Sequence, residues 1–103
     1  MAVVVMLPAT VVLSNVVEAR EALRAALATG EPVAIDTAEL TEIDFAGLQL
    51  LCAAHRSAAQ QGRSLAVAGG TRGAVIDRAV LALGFGRGGG CPDGCPCQEA
   101  PRA

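Results

Sequence analysis

Apolar residues along this chain fall either in short uniform runs or in stripes of helical spacing, and the alternation of the two sets out the elements. Val3 to Leu7 is unbroken and rich in β-branched Val, which predicts a buried strand. Thr10 to Leu13 predicts a second short extended segment. Val16, Ala19, Leu23, Ala26 and Leu27 then recur at helical spacing. Asn15 stands before them as an N-cap, with Glu18 three residues on in an N-x-x-E variant of the capping box, and Gly30 stops the helix. Pro32 precedes a strand at Val33 to Asp36. Asp44 caps a second helix that runs to about Gln61, where Gly62 ends it. Ser64 to Ala68 is another strand, and Gly69-Gly70 turns the chain. Thr71 caps a third helix carrying Val75, Ile76, Ala79, Val80 and Leu83, which Gly84 closes. The order is β, β, α, β, α, β, α. The strand at residue 33, the second helix and the strand at residue 64 form a βαβ unit. Crossovers of this kind are right-handed, so those two strands should be parallel.

Composition narrows the classes. The chain has 103 residues, enough for one ordinary domain with a small core. Hydrophobic residues make up 52%, which suits a globular domain rather than a disordered one. The only aromatics are Phe45 and Phe85, so the core must be aliphatic. A net charge of −2 gives no electrostatic case for nucleic acid. All eight basic residues are Arg, so neither a P-loop grip nor Schiff-base chemistry, both of which need Lys, is available. The apolar run at Ala2 to Leu7 has no positive region before it and no cleavage site after it. Pro8 ends that run far short of the roughly 20 residues needed to span a bilayer. A cytoplasmic location without membrane insertion is the expectation.

Leu40 to Leu51 reads L-T-E-I-D-F-A-G-L-Q-L-L. An acidic residue, Asp44, stands where a strand-like run gives way to an Ala-rich helix, followed by Phe45, Ala46 and Gly47. This segment resembles the signature of the STAS domain family (sulfate transporter and anti-sigma factor antagonist), and the element order agrees from Val3 to about Phe85. L-P-A near residue 8 and D-F-A-G-L-Q-L-L look closest to the small stand-alone members associated with bacterial chemotaxis kinases. The resemblance implies an α/β domain at residues 1–86. Its fold would be a mixed sheet of four to five strands with helices packed mainly on one face. In many members a Ser or Thr between the Asp and the Gly accepts a phosphate from a partner kinase. Here Phe45 and Ala46 occupy those positions, so the resemblance implies the class with the usual switch missing. Thr41 lies on the strand side of the loop and is a poor substitute.

At about 100° per residue, Leu48, Leu51, Cys52, His55 and Ala59 share one face of the second helix, the expected core face. Leu50 falls roughly 150° from its centre. Ala46, Ala53 and Ser57 share Leu50's side, flanked by Gln49, Arg56, Gln60 and Gln61. A single exposed Leu is ordinary on a protein surface. The functional alternative is a docking patch centred on Leu50, where small neighbours let a partner approach and a polar rim suits reversible binding. In STAS domains this helix and the loop before it form the partner surface. The partner-binding candidates are therefore Asp44, Phe45, Ala46, Gln49, Leu50, Ala53 and Ser57. Asp44 also has a structural reading, as a cap that accepts backbone N–H bonds and complements the helix dipole. Phe45 either packs inward or joins Ala46 and Leu50 in the patch. The lone His55 has no convergent partner set and reads as a packing residue rather than a base. Gly69-Gly70-Thr71, between a strand and a helix, is a weak phosphate-binding signal with only Arg72 in support.

Residues 87–103 form a tail rich in Gly, Cys and Pro, without periodicity, and read as flexible. Cys91, Cys95 and Cys97 present three thiols at C-x3-C-x-C spacing. A closed Zn site takes four ligands, whereas three thiolates suit Cu(I). An appendage without a dedicated role is the plainer reading, because the ligand set is incomplete.

The expectation from these readings is a non-enzymatic protein–protein interaction module of bacterial regulation, with no cofactor. Its partner would be a kinase-type regulator, either an anti-sigma factor with an ATPase-like fold or a chemotaxis histidine kinase. The alternatives are a soluble STAS subunit of a lipid-transport ATPase, or a thiol protein that binds metal or senses redox state through the tail.

Overall fold

A computed structural model of the chain describes residues 2–67 and 74–83. Its elements are β1 (Val3–Met6), β2 (Thr10–Val11), α1 (Val16–Ala28), β3 (Val33–Asp36), β4 (Glu42–Ile43), α2 (Phe45–Gln60), β5 (Leu65–Val67) and α3 (Ala74–Leu83). This is the α/β order expected, with one addition. Strand β4 is too short to leave a periodic signal, and it exists because β2 pairs with it.

The strands form a three-stranded sheet in the order β1-β3-β5 and a two-stranded one, β2-β4. Every pairing among the described residues is parallel, including β3 with β5 across the predicted βαβ crossover. The two small sheets stand where a single mixed sheet was expected. They follow one another along the same pair of chain segments. Partners lie 30 residues apart from Val3↔Val33 to Met6↔Asp36, but 32 apart at Thr10↔Glu42. The second segment therefore carries two extra residues between β3 and β4. A turn closed by the Leu40 N–H on the Thr37 carbonyl (3.1 Å) absorbs them and tucks Leu40 into the core. Hydrogen bonds from Leu7 N to Asp36 O (2.9 Å) and from Thr41 N to Ala9 O (2.8 Å) carry the pairing across the break.

Side chains alternate across the sheet with a period of two. Val33 and Leu65 stand beside the half-buried Val3 on one face, and Val5, Ile35 and Val67 form the next buried row. Helix α1 packs on β1, α2 on β5 and on α1, and α3 on α2 and β4. The core is aliphatic throughout. Leu7, Leu23, Ile35, Leu48, Leu51 and Ile76 are its largest fully buried side chains, and the described core contains no polar or charged residue.

Helix α1 buries Ala19, Leu23 and Ala26, as its stripe predicts. Its N-terminus departs from the capping box. Asn15 occupies the cap position but makes no side-chain bond to the helix. Its amide turns back instead, accepting from Val12 N (2.8 Å) and donating to the Thr10 carbonyl (2.8 Å). An Asn amide both donates and accepts, so it can clasp a loop from two sides, which a carboxylate cannot. Gly30 and Gly62 follow α1 and α2 with φ of 78° and 70°, a backbone region that side chains disfavour, and both end their helices as predicted. The predicted cap at Thr71 and the turn at Gly69-Gly70 lie outside the described residues, as does the tail with its three cysteines.

Candidate partner-binding site

The junction between β4 and α2 is built around Asp44. Its backbone is extended, and its carboxylate accepts from the Gly47 N–H at 3.0 Å, the N-cap bond expected from sequence. The second carboxylate oxygen does something that sequence spacing does not announce. It accepts from the backbone N–H of Leu13 at 3.0 Å, joining the start of α2 to the loop between β2 and α1. Partial burial pushes the Asp44 carboxyl up. Bonds from the Gly47 and Leu13 N–H groups, with lesser ones from Ala46 and its own backbone, outweigh that and hold it below the usual carboxylate value.

Gly47 is required by proximity. A Cβ there would meet the Val11 carbonyl oxygen and stand 2.6 Å from Ile43 Cγ1. The first turn of α2 thus lies directly on the β2-β4 pair, and Asp-x-x-Gly serves both requirements: the Asp caps and clasps, the Gly lets the helix approach.

The facing of α2 differs from the sequence expectation. Leu48, Leu51 and Cys52 are buried as predicted, but Ala54 and Ala58 join them, while His55 is half-buried and Ala59 exposed. The core face is rotated by roughly 60° from the predicted one, taking about 100° per residue. The cause is lateral packing. Helix α2 touches α1 and α3 as well as the sheet, so its small residues Ala54 and Ala58 are covered from the side. Leu50 consequently does not centre the outer face. It is partly buried and packs against the core.

The outward face instead carries Phe45, Gln49, Ala53, Arg56 and Gln60, all exposed, with Ala46, Leu50 and Ser57 on its half-buried flank. Phe45 is 51% exposed, which resolves its orientation toward solvent. Leu13, tied to Asp44, adds to the apolar surface at this end and was not among the sequence candidates; it is 74% exposed. The bond from the Leu13 N–H to Asp44 holds Leu13 at the start of α2, next to the residue that precedes Phe45. The sequence predicts Leu13 at the end of an extended segment, Thr10 to Leu13, whereas β2 stops at Val11 and Leu13 lies in the turn beyond it.

The hydroxyl groups near this surface are few. Thr41 Oγ1 donates to the Ala9 carbonyl at 3.0 Å and serves the strand pairing. His55 has a buried Nδ1 without a hydrogen-bond partner among the described residues, and burial pushes the imidazole below its ordinary value. Cys52 is buried in α2, and no cluster of His, Cys, Asp or Glu with metal-holding geometry occurs among the described residues. No described helix is long and apolar enough to cross a membrane.

Residues 2–87 match the protein family described as "Mlab, STAS domain". No curated protein and no solved structure matches the chain. The match spans every element from β1 to α3 and includes the Asp44–Gly47 junction, and on that extent the chain belongs to the STAS domain family.

Proposed function

We propose that this STAS domain is a non-enzymatic binding module of bacterial regulation, and that the end of the fold bearing Leu13, Phe45, Gln49 and Ala53 docks a kinase-type regulator. The partner class is an anti-sigma factor with an ATPase-like fold or a chemotaxis histidine kinase. One observation carries the reading: the exposed apolar pair Leu13 and Phe45 is held by a structural clasp beside a polar helix face. Apolar anchors ringed by Gln and Arg suit a reversible interface. The Asp44 carboxylate is occupied by two backbone N–H groups, so its role is to shape this surface rather than to transfer protons.

Binding without a phosphate switch follows from Phe45 and Ala46, which have no hydroxyl to modify. The same absence favours a second reading, a permanent subunit of a lipid-transport ATPase, where a phosphate switch has no use. The test is direct binding. Immobilised protein is titrated with purified representatives of the three partner classes, with Phe45→Asp in parallel. Binding of one class that is lost with Phe45→Asp supports the surface. Binding that Phe45→Asp leaves unchanged moves the interface elsewhere, and failure of all three classes removes the proposal.

A further inference from the structure

Asn15 and Asp44 stand at the starts of α1 and α2, and they use their side chains differently. Asp44 caps its helix, and its backbone is extended at φ −108° and ψ −171°, as a capping residue ordinarily is. Asn15 has φ −132° and ψ 9° and makes no side-chain bond to its helix. Asn is among the best capping residues, so a stabilising bond is left unmade at α1. The amide serves the turn between β2 and α1 instead. Its Oδ1 accepts from the Val12 N–H at 2.8 Å, and its Nδ2 donates to the Thr10 carbonyl at 2.8 Å and to Thr10 Oγ1 at 3.2 Å. The next N–H along the chain, that of Leu13, donates to Asp44 at 3.0 Å. Two consecutive backbone N–H groups are thus held by side chains, and the 74% exposed Leu13 rides on the turn they hold.

We infer that Asn15 is a positioning residue of the docking surface: it holds the turn from Thr10 to Leu13 so that Leu13 meets a partner as a preformed anchor. The inference rests on the reading of that surface given above. A Leu on a free turn has to be ordered when it binds, and that ordering lowers affinity. Asn15 and Asp44 fix the turn beforehand. The amide is specific to the task. A carboxylate could accept from Val12 but could not donate to Thr10, and its charge would face the Thr10 carbonyl oxygen. Clasping the turn and capping the helix are alternatives for one side chain, because capping goes with extended backbone and the clasp occurs at ψ 9°. Asn15→Asp therefore shifts the residue from clasp to cap, where a carboxylate also complements the helix dipole.

Asn15→Asp in the full chain separates positioning from stability. Urea unfolding should find the variant no less stable than the unmodified protein, while NMR relaxation should find a lower order parameter at the Leu13 amide. Affinity is measured against the purified representatives of the three partner classes. For the class that binds, it should fall about five- to thirtyfold, the cost of ordering one residue. In a Leu13→Ala background the same substitution should cost no further affinity, because Asn15 acts through Leu13. An unchanged Leu13 order parameter overturns the inference with or without a partner. Full affinity in Asn15→Asp, where Phe45→Asp abolishes binding, also overturns it and leaves the docking surface standing. Losses that add in the double variant, or a stability loss that accompanies the affinity loss, would make Asn15 structural only. Binding indifferent to Phe45→Asp and Asn15→Asp alike overturns the docking reading itself.

Discussion

The carboxylate of Asp44 holds the backbone N–H of Leu13, 31 residues earlier in the chain, at 3.0 Å. That bond turns an ordinary helix cap into a tie between two loops, and it puts Leu13 and Phe45 at one end of the fold.

Asp44→Ala should destabilise the domain by about 1 to 2 kcal/mol, the cost of losing an N-cap, and should also free the loop at Leu13. Asp44→Asn, which keeps an acceptor oxygen, should recover part of that loss. Urea unfolding measures the first effect, and hydrogen exchange at the Leu13 amide measures the second. An unchanged Leu13 amide in Asp44→Ala would mean that the clasp does not hold the loop.

Acid should weaken the domain in two stages. The His55 imidazole is depressed by burial, so the unfolded chain binds the proton more readily and stability falls as pH drops through about 6.5, the unfolded value. The Asp44 carboxyl is also depressed. Its contribution is intact above about pH 4, the unfolded value, and is lost as pH falls further through the folded value. Unfolding midpoints against pH should therefore lose the upper step in His55→Gln and the lower one in Asp44→Asn.

Gly47→Ala should destabilise, although Ala is the better helix former by about 1 kcal/mol. The new methyl meets the Val11 carbonyl and Ile43, so α2 must lift from the β2-β4 pair, an overpacking cost of about 1 to 3 kcal/mol. A higher melting temperature in Gly47→Ala would show that the helix shifts without loss.

Phe45→Asp should leave the fold within about 0.5 kcal/mol, as exposed substitutions generally do, and should abolish partner binding. Leu51→Asp should unfold the domain, because it places an unpaired charge at a fully buried position. Leu50→Asp should fall between the two in stability, since Leu50 packs partly against the core. Circular dichroism and calorimetry of the three variants check the helix facing without any knowledge of the partner.

Removal of residues 88–103 should leave the melting temperature and circular dichroism nearly unchanged, because the family match ends at residue 87. If the three tail thiols form a site, the full chain will take up one equivalent of Cu(I) or Zn(II), and replacement of Cys91, Cys95 and Cys97 will abolish that uptake. Absence of stoichiometric uptake by the full chain would rule out a metal site in the tail.

The elements, the parallel βαβ unit and the Asp44 cap were legible in the sequence because each rests on local chemistry: a run of Val, a stripe of helical period, an acid before a helix, a Gly after one. The absence of a hydroxyl at Phe45 and Ala46 was equally plain. Tertiary structure decided the rest. Two-residue strands such as β4 have no period to read and form only when a partner segment lies alongside. The facing of α2 turned on Ala54 and Ala58, which carry almost no hydrophobic signal yet are buried because α1 and α3 flank the helix. Leu50, the large residue that dominates any helical wheel, was drawn toward the core by the same lateral packing. The Leu13–Asp44 bond joins positions 31 residues apart, a separation over which spacing alone specifies nothing, and it exists because the β2-β4 register brings the two loops to the same level.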